Sequence, residues 1–466
     1  MTNSSAVPAD RLPHPRGRLP ILGDVASVDR RRTTQNELLL AQRGLGPIFE
    51  RKVLRSRVII VSGARLATEC CDETSWARCL AGPVKMLRDV VPEGLFTART
   101  SNPLWGQARR ILTPGFSQAA MRVYHDAMTS VADDLIAAWS AAPGGKVDVH
   151  EAMTAATLEV IGRAGFSRRL GLLGPGDVDG TDSRQFAEAF AEILSWFSGQ
   201  ANDLPVVGTV RTLARARRIR AQIAAIRSYV DSMVAERTTH NRGEAHDLLG
   251  LMLTTADPET GELLPASNVS EQVLTFLVAG HETTAALLET AMHYLAAAPG
   301  LQEDLRAEIA THGGEFGYEA IIRMRQIRAV LNEVLRLWPP VSGFFRVARS
   351  DQVLGGYKIP AGRSVFVLAL AAQRDPAVWG PQAEEFDPGR FDPERSREFP
   401  DRFFHPFGSG PRSCIGRAFA LHEATLLLAR ILDAYDLSGV SPLRMYERGT
   451  LRPEPYALTA RSLHQP

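Results

Sequence analysis

Apolar residues recur at three- and four-residue spacing along most of the chain, which is typical of helices with one buried face. Residues 1–45 are rich in Pro and Arg and show no sustained period. Further along, the spacing predicts helices over 105–112, 118–139, 151–163, 184–199, 211–236, 269–296, 300–311, 320–337 and 416–436. Helices therefore make up most of the predicted fold.

Two parts of the chain carry β-branched and turn residues instead. Residues 47–62 predict a strand pair, and short segments after residue 338, separated by Gly and Pro turns, predict further strands. Residues 375–413 are dense in Pro, Gly and aromatic residues and follow neither period. So long an irregular stretch in a compact chain is typical of a functional segment. We predict a mainly α fold with a small β portion (α+β), organised as one domain over residues 1–466.

Composition narrows the class of protein. The 466 residues are 45% hydrophobic and 23% charged, which is typical of a globular chain. The 53 basic and 52 acidic residues give a net charge of +1, so no nucleic-acid partner is indicated. There is no signal peptide and no apolar run of the roughly 18–20 residues that a membrane anchor needs. With four cysteines, too few for a disulfide scaffold, we expect a soluble, cytoplasmic protein.

One cysteine, Cys414, stands among glycines at the end of the irregular stretch, directly before the last predicted helix. Glycines permit tight bends, and the N–H groups of a helix start stabilise a thiolate. A buried cysteine at a turn is the alternative to a metal-bound thiolate. The pattern F-x-x-G-x-R-x-C-x-G resembles the haem-thiolate loop of the cytochrome P450 family. Its members here are Phe407, Gly410, Arg412, Cys414 and Gly416.

The segment NEVLRLWP carries a second pattern of that family. Glu333 and Arg336 are three residues apart on a predicted helix and can pair, as many surface residues do. The resemblance implies that they join Arg390 of FDPGRF in a structural triad. The implied role of the triad is to hold the loop that carries Cys414.

The segment LVAGHETTAALL places polar residues inside an apolar helix. Burial of such a cluster is costly unless it has partners or a function, and a polar stripe against another helix is the simpler interpretation. The segment matches the family's A-G-x-E-T-T motif for oxygen activation. The resemblance implies that Gly280 loosens the helix, Thr283 holds a water, and Glu282 helps to supply protons.

The resemblance also implies a cofactor, haem b, with Cys414 as the iron ligand. Trp105 and Arg109 stand four residues apart in WGQARR, on one face of a helix, where amphipathic packing is the alternative. In the family this pair binds a haem propionate, and Arg346 and Arg412 align with other propionate-binding arginines. Arginine side chains form strong charge-assisted hydrogen bonds with carboxylates, so they suit the two buried propionates of a haem.

The resemblance extends from about residue 18 to 455 and is strongest to the haem domain of the bacterial self-sufficient fatty-acid hydroxylases. It places three residues on the substrate side: Phe96, Ala279 and Phe344. Those hydroxylases continue into a flavin reductase, whereas this chain ends 52 residues after Cys414. We therefore expect electrons from separate proteins, a ferredoxin or flavodoxin with its NAD(P)H reductase.

A second departure concerns the substrate. Where the hydroxylases anchor a fatty carboxylate with Arg and Tyr, this chain has Ser56 and Ile60, although Arg55 and Arg57 are neighbours. The expected activity is insertion of one oxygen atom from O2 into an apolar small molecule, preferably a bacterial specialised metabolite. The alternatives are a fatty-acid hydroxylase, a peroxygenase, oxidative coupling or cyclisation on the same haem, and a non-catalytic haem sensor.

Two further expectations concern arginine residues. The run 211–220 has five arginines and predicts a solvated helix face, with a basic binding patch as the alternative. Near the predicted haem, Arg110 and Arg417 are expected to remain available for docking of an acidic ferredoxin.

Overall fold

The structure, a computed structural model, describes residues 6–25, 32–54, 56–81, 83–88, 90–173, 186, 189, 190, 192, 193, 205–240, 246–397 and 403–464. The chain forms two compact units. Unit 1 comprises residues 1–81, 332–414 and 445–451, and unit 2 comprises residues 82–331, 415–444 and 452–466. The prediction of a single domain stays a prediction. Among the described residues no helix is both long and apolar enough to cross a membrane.

Unit 1 is built on β-structure. Its five-stranded sheet has the order β2 (Ile48–Val53), β3 (Ser56–Val61), β9 (Ser364–Val367), β6 (Phe344–Ala348) and β4 (Trp76–Arg78). A three-stranded sheet has the order β1 (Val7–Pro8), β8 (Tyr357–Ile359) and β7 (Gln352–Leu354). Strands β2 and β3 are antiparallel with Ile48 opposite Val61, which confirms the strand pair predicted over 47–62. Apolar residues on one face of the large sheet, such as Ile59 and Val365, are fully buried.

The helices of unit 1 are short: α1 (Thr33–Leu40), α2 (Ala64–Glu69), α13 (Ala369–Ala372) and α14 (Pro376–Trp379). Helix α1 lies where the sequence shows no period. Its first N–H groups, at Thr34 and Gln35, donate to the Glu447 carboxylate at 3.0 and 3.1 Å. A cap from a residue more than 400 positions away satisfies the orphan donors of this helix start, and no local pattern reveals it.

Unit 2 is mainly helical. Its helices are α3 (Pro83–Leu87), α4 (Pro103–Leu112), α5 (Gln118–Ser140), α6 (Val149–Val160), α7 (Pro205–His240), α8 (Leu248–Thr254), α9 (Ala266–Ala296), α10 (Pro299–Thr311), α11 (Tyr318–Arg323), α12 (Arg325–Leu337, which ends in unit 1) and α15 (Arg417–Ala434). A small antiparallel sheet has the order β10 (Tyr435–Ser438), β13 (Ala457–Ser462) and β5 (Lys146–Asp148). Strands β11 (Met445–Arg448) and β12 (Thr450–Pro453) pair where the chain passes between the units. The predicted mainly α class with a small β portion is confirmed.

Apart from shifts of a few residues at their ends, the predicted helices match the observed ones with two differences. The helix predicted over 320–337 is two helices, because the Glu308 carboxylate accepts the N–H groups of Gln326 and Ile327 and starts α12 anew. The helix predicted over 151–163 ends at Val160 and continues as a π-helical turn. Most of 184–199 lies outside the described residues.

Candidate functional site

The Cys414 loop in unit 1 is shaped by two left-handed glycines. Gly408 has φ +70° and Gly410 has φ +68°, and a Cβ on Gly410 would lie 2.9 Å from Glu73 Oε1. The Cys414 N–H donates to the Phe407 carbonyl at 2.8 Å. The loop thus turns back on itself and leaves the Cys414 side chain exposed, as a ligand must be.

The predicted triad is assembled in unit 1. Arg336 donates from Nε and Nη2 to the two carboxylate oxygens of Glu333, both at 2.7 Å, and Arg390 Nε lies 3.5 Å from Glu333 Oε1. All three side chains are buried. The remaining donors reach main-chain carbonyls at Gln373, Ala383 and Glu385 from Arg336, and at Trp379 and Gln382 from Arg390. The triad therefore fixes the irregular stretch that precedes Cys414.

Positive charge is concentrated on strands β4 and β6. Arg346 is buried and donates from Nη1 to Glu73 at 2.7 Å, and its buried Nε has no hydrogen-bond partner among the described residues. Arg78 lies opposite Arg346 across the strands. Burial, with the charge of Arg346, lowers the pKa of Arg78 to about 10. The Nε–H donor of the buried Arg346 fits an anionic group such as a haem propionate, and Arg78, half-buried on the neighbouring strand, is a nearby cation that the sequence analysis did not predict.

Two further predicted residues of unit 1 are Arg412 and Phe344. Arg412 ends a short 3-10 turn that begins at Gly410 and is half-buried. The Arg346 guanidinium lies 5.5 Å from the centre of the Phe344 ring, at the start of β6. Phe344 is half-buried, so part of its ring is accessible.

In unit 2, helix α9 is buried along most of its 31 residues, and beyond its exposed first turn it is accessible mainly in its middle. Ala279 is exposed there, and Gly280, Glu282 and Thr283 are half-buried. The helix runs unbroken through Gly280, so the loosening implied by the resemblance is not observed. The Thr283 hydroxyl donates to the Ala279 carbonyl at 3.0 Å and keeps its oxygen lone pairs for another donor.

Buried ionisable groups surround this accessible part of α9, and the sequence reasoning did not find them. On α15, Glu423 is fully buried, its Oε1 has no hydrogen-bond partner in the described part of the chain, and burial raises its pKa well above the usual value. On α9, burial lowers the pKa of His281 to about 4, and its Nδ1 lies 2.6 Å from the Leu277 carbonyl. Glu289, two turns beyond Glu282, pairs with Arg452.

Helix α4 carries the predicted propionate pair. Asn102 caps its start by accepting the Leu104 N–H at 3.0 Å. Trp105 and Arg109 are half-buried and stand one turn apart on the same face. The prediction that Arg110 is available for docking is wrong, because Arg110 donates to both oxygens of the buried Asp257 at 2.6 and 2.7 Å.

The turn that carries Phe96 is held against α9. Gln272, fully buried, accepts the Leu95 N–H at 2.9 Å and donates to the Glu93 carbonyl at 3.3 Å. A Cβ on Gly94 would lie 1.9 Å from Thr275 Oγ1, so only glycine permits this approach. Phe96 remains 40% exposed. These contacts hold the turn in place and leave the Phe96 ring accessible, as a residue that contacts substrate needs to be.

The positions where the fatty-acid hydroxylases bind a substrate carboxylate lie on strand β3. Ser56 is exposed, and Ile60 is buried. Side chains alternate along a strand, so Arg57 faces the opposite side, where it lies 3.6 Å from Glu50. Arg55 lies outside the described residues. The Arg57 side chain therefore pairs with Glu50 on the face of the strand opposite to Ser56 and Ile60.

Comparison with known proteins decides the family. The family model described as "Cytochrome P450" matches residues 13–460. The chain belongs to the cytochrome P450 family. Members of this family are oxidoreductases that carry haem b, so the predicted class of enzyme and the predicted cofactor are confirmed.

Several curated relatives of this P450 chain are described as bifunctional or self-sufficient proteins. It is 36% identical over 456 residues to a bifunctional cytochrome P450/NADPH–P450 reductase from Bacillus cereus, covering 97% of this chain and 41% of the relative. A protein of the same description from Bacillus subtilis is 35% identical over 471 residues, covering 100% and 43%. A self-sufficient cytochrome P450 monooxygenase from Aspergillus niger is 32% identical over 459 residues, covering 97% and 43%. The chain spans less than half the length of these relatives.

Proposed function

We propose that the protein is a haem-thiolate monooxygenase that inserts one oxygen atom from O2 into an apolar small molecule and releases the other as water. The observation that carries the proposal is the Cys414 loop, exposed at its cysteine and fixed by the buried triad. When bound, the haem supplies binding and reductive activation of O2. Cys414 would be its thiolate ligand, and the residues that would pair with the propionates are Arg346 and Arg412 in unit 1 and Trp105 and Arg109 in unit 2.

Residues on α9 supply the protons in this proposal. Two protons and two electrons are needed for each O2, because one oxygen atom leaves as water. Thr283 Oγ1 accepts a hydrogen bond from a water and fixes its position, and the half-buried Glu282 carboxyl delivers protons to that water. A peroxygenase has no need of this pair, because peroxide already carries the protons and electrons.

The ligand assignment is tested with Cys414→His. The variant is expected to lose the thiolate signature in the absorbance spectrum of the reduced, carbon-monoxide-bound protein. Cys79→Ser is the control, since Cys79 is half-buried and lies outside the loop. An unchanged spectrum for Cys414→His would refute the assignment.

The proton route is tested with Thr283→Ala, with Thr283→Ser as the control that keeps the hydroxyl. The alanine variant is expected to keep its haem and to divert reducing equivalents to peroxide. The measurement is product formed per NAD(P)H consumed. An equal ratio in the wild type and both variants would mean that protons arrive by another route.

The substrate class in this proposal is a bacterial specialised metabolite with an apolar body, for example a terpenoid, polyketide or modified peptide. A carboxylate entering an apolar channel needs a charge-assisted partner, worth about 1.5–3 kcal/mol. Ser56 and Ile60 provide none, and Arg57 is engaged with Glu50. Phe96, Ala279 and Phe344 are accessible to an apolar ligand in their respective units.

The substrate class is tested by titrating palmitate and a panel of such metabolites into the oxidised protein. The expected result is a low-to-high-spin absorbance shift followed by turnover with a metabolite. A micromolar shift and efficient hydroxylation with palmitate alone would overturn the proposal in favour of a fatty-acid hydroxylase. Spectral shifts without turnover of any compound would favour a haem sensor.

We further propose that electrons come from a separate ferredoxin or flavodoxin with its NAD(P)H reductase. Arg417 is exposed at the start of α15, directly after the Cys414 loop in the sequence, and it suits an acidic partner. Arg417→Glu is expected to slow association with an acidic ferredoxin, most at low ionic strength. Arg218→Glu on α7 is the control, because Arg218 is also exposed. Reduction at one rate at all ionic strengths would exclude electrostatic steering.

A further inference from the structure

One buried arginine lies between two carboxylates of helix α9. Arg452 Nε lies 3.2 Å from Glu289 Oε2, and its Nη2 contacts Glu289 Oε1. On the other side, Arg452 Nη1 lies 3.9 Å from Glu282 Oε1. Arg452 is 5% exposed and Glu289 is 1% exposed. Little solvent is therefore present to screen these charges.

The spacing on α9 explains why one side chain reaches both acids. Glu282 and Glu289 are seven residues apart, which places them on the same helix face two turns apart. Arg452 Nη2 also lies 3.2 Å from Thr154 Oγ1 on α6. The guanidinium is thus held between α6 and α9, with Nε and Nη2 toward Glu289 and Nη1 toward Glu282.

The charges around Glu289 do not balance. The groups that face it are Arg452 and Tyr456 from the C-terminal segment, Asp148, His150 and Thr154 from the region of α6, and Glu282 from its own helix. Tyr456 donates to the Glu289 main-chain carbonyl at 2.6 Å, so it leaves the carboxylate to Arg452 and His150. Burial raises the pKa of Glu289 to about 7, against the opposing effect of Arg452. Its charge is therefore easily lost near neutral pH.

The geometry points to Arg452 as a positioning residue for Glu282, with the buried Glu289 deciding how much of the Arg452 charge acts on Glu282. While Glu289 is ionised, it holds the guanidinium and neutralises it. When Glu289 takes up a proton, the full positive charge acts on Glu282 and favours its carboxylate form. The inference rests on the proposed role of Glu282 as the proton-delivering acid.

The test follows the titration of Glu282 in the haem-loaded protein. Isotope-edited infrared spectroscopy reports the carboxylate band of Glu282, identified as the band lost in Glu282→Gln. The pKa of Glu289 is about 7, so Glu289 is already protonated in mild acid, where carboxyls ordinarily titrate, and Glu289→Gln is expected to leave the Glu282 midpoint in place. In the wild type the Glu282 band is expected to shift as the pH passes through 7 and Glu289 changes charge, and this step is expected to be absent in Glu289→Gln. Replacing Arg452 as well, in Glu289→Gln/Arg452→Met, removes the cation beside Glu282 and is expected to raise its titration midpoint by about one pH unit or more. The acid limb of the pH profile for product per NAD(P)H is expected to move in the same direction.

Two controls separate this effect from a structural one. Glu271→Gln removes another buried acid of α9, which lies 3.0 Å from Arg227, and is expected to leave the Glu282 midpoint unchanged. The double variant Glu289→Gln/Arg452→Met buries no charge at this position, so its Glu282 midpoint, compared with that of Glu289→Gln or of the wild type, reports the effect of the Arg452 charge. The double variant also serves if the single variant does not fold.

The outcomes distinguish this inference from the proposed function. An equal Glu282 midpoint in the double variant and in Glu289→Gln, or a step near pH 7 that persists in Glu289→Gln, would overturn the inference even if the enzyme turns over normally. The infrared readout needs no turnover. A shifted midpoint in a protein that oxidises nothing would therefore support the coupling of Arg452 and Glu282 and would count against the monooxygenase proposal.

Discussion

Two buried ion-pair clusters, one in each unit, have opposite charge balance. In unit 1, two guanidiniums, of Arg336 and Arg390, serve the single carboxylate of Glu333, and their other donors reach main-chain carbonyls. In unit 2, the single guanidinium of Arg452 serves Glu289 and lies near Glu282. The first cluster has a fixed acceptor for nearly every donor and acts as a structural clamp. The second has two carboxylates near one guanidinium, and burial raises the pKa of one of them, Glu289, to about 7, so it responds to protons near neutral pH.

The largest effect is expected from breaking the first cluster. Glu333→Gln leaves two buried guanidiniums without their carboxylate, and loss of one partner of a buried pair costs about 3–5 kcal/mol. The expected result is a protein with a much lower free energy of unfolding and poor retention of haem. Urea denaturation and haem content of the purified variant measure both. A stability within 1 kcal/mol of the wild type would show that the backbone carbonyls alone hold the loop.

The second cluster is expected to show a pH-dependent effect of about 3 kcal/mol. The folded pKa of Glu289 is about 7, above its usual 4.5, so the folded state binds this proton more tightly than the unfolded state. The stabilisation is therefore complete below pH 4.5 and is lost as the pH rises through 7. Glu289→Gln has no carboxyl group to titrate at this position, so its stability does not fall for this reason as the pH rises.

The measurement is the difference in free energy of unfolding between the wild type and Glu289→Gln from pH 4.5 to 8. The difference isolates Glu289 from Glu37 in unit 1, whose pKa is also raised to about 7 by burial. The wild type is expected to lose stability relative to the variant as the pH rises. Parallel curves would show that Arg452 keeps Glu289 ionised throughout.

The two clusters also show what the sequence can predict. Glu333 and Arg336 are three residues apart on one helix, so spacing and the P450 resemblance together predict their pairing. Glu289 and Arg452 are 163 residues apart, and no local pattern joins them. The same holds for Glu447 at the start of α1 and for Asp257 beside Arg110. Element types and motif residues could be predicted, whereas the partners that buried charges find across the fold could not.

A smaller effect is expected at a pair in which only one partner is partly exposed, Arg110 with the buried Asp257. The Arg110 guanidinium holds the pKa of Asp257 well below its usual range, so the pair is ionised at neutral pH. Arg110→Gln loses both contacts to Asp257, but Gln107 still donates to the Glu262 and Leu263 carbonyls and keeps the turn in place. The thermal midpoint is expected to fall less than in Glu333→Gln.

The pH dependence of this pair has the opposite sign to that of Glu289. A lowered carboxyl pKa gives stability that is present above the ordinary pKa of Asp and lost as the pH falls through the folded value. The difference between the wild type and Arg110→Gln is therefore expected to shrink only in strong acid. A difference that grows in acid would show that Arg110 is not the partner that keeps Asp257 ionised.

The smallest effect is expected at an exposed ion pair, Arg122 and Glu319. Arg122 Nη2 lies 2.6 Å from Glu319 Oε1, a distance as short as those in the buried clusters, but the two side chains are 61% and 51% exposed. Water and salt screen such a pair, and Arg122 keeps its contact with the Tyr318 ring at 4.6 Å when Glu319 is replaced. Glu319→Gln is expected to change the free energy of unfolding by less than about 1 kcal/mol, and by less still in high salt. A loss as large as that of Glu333→Gln would show that contact distance, and not burial, decides what an ion pair contributes in this protein.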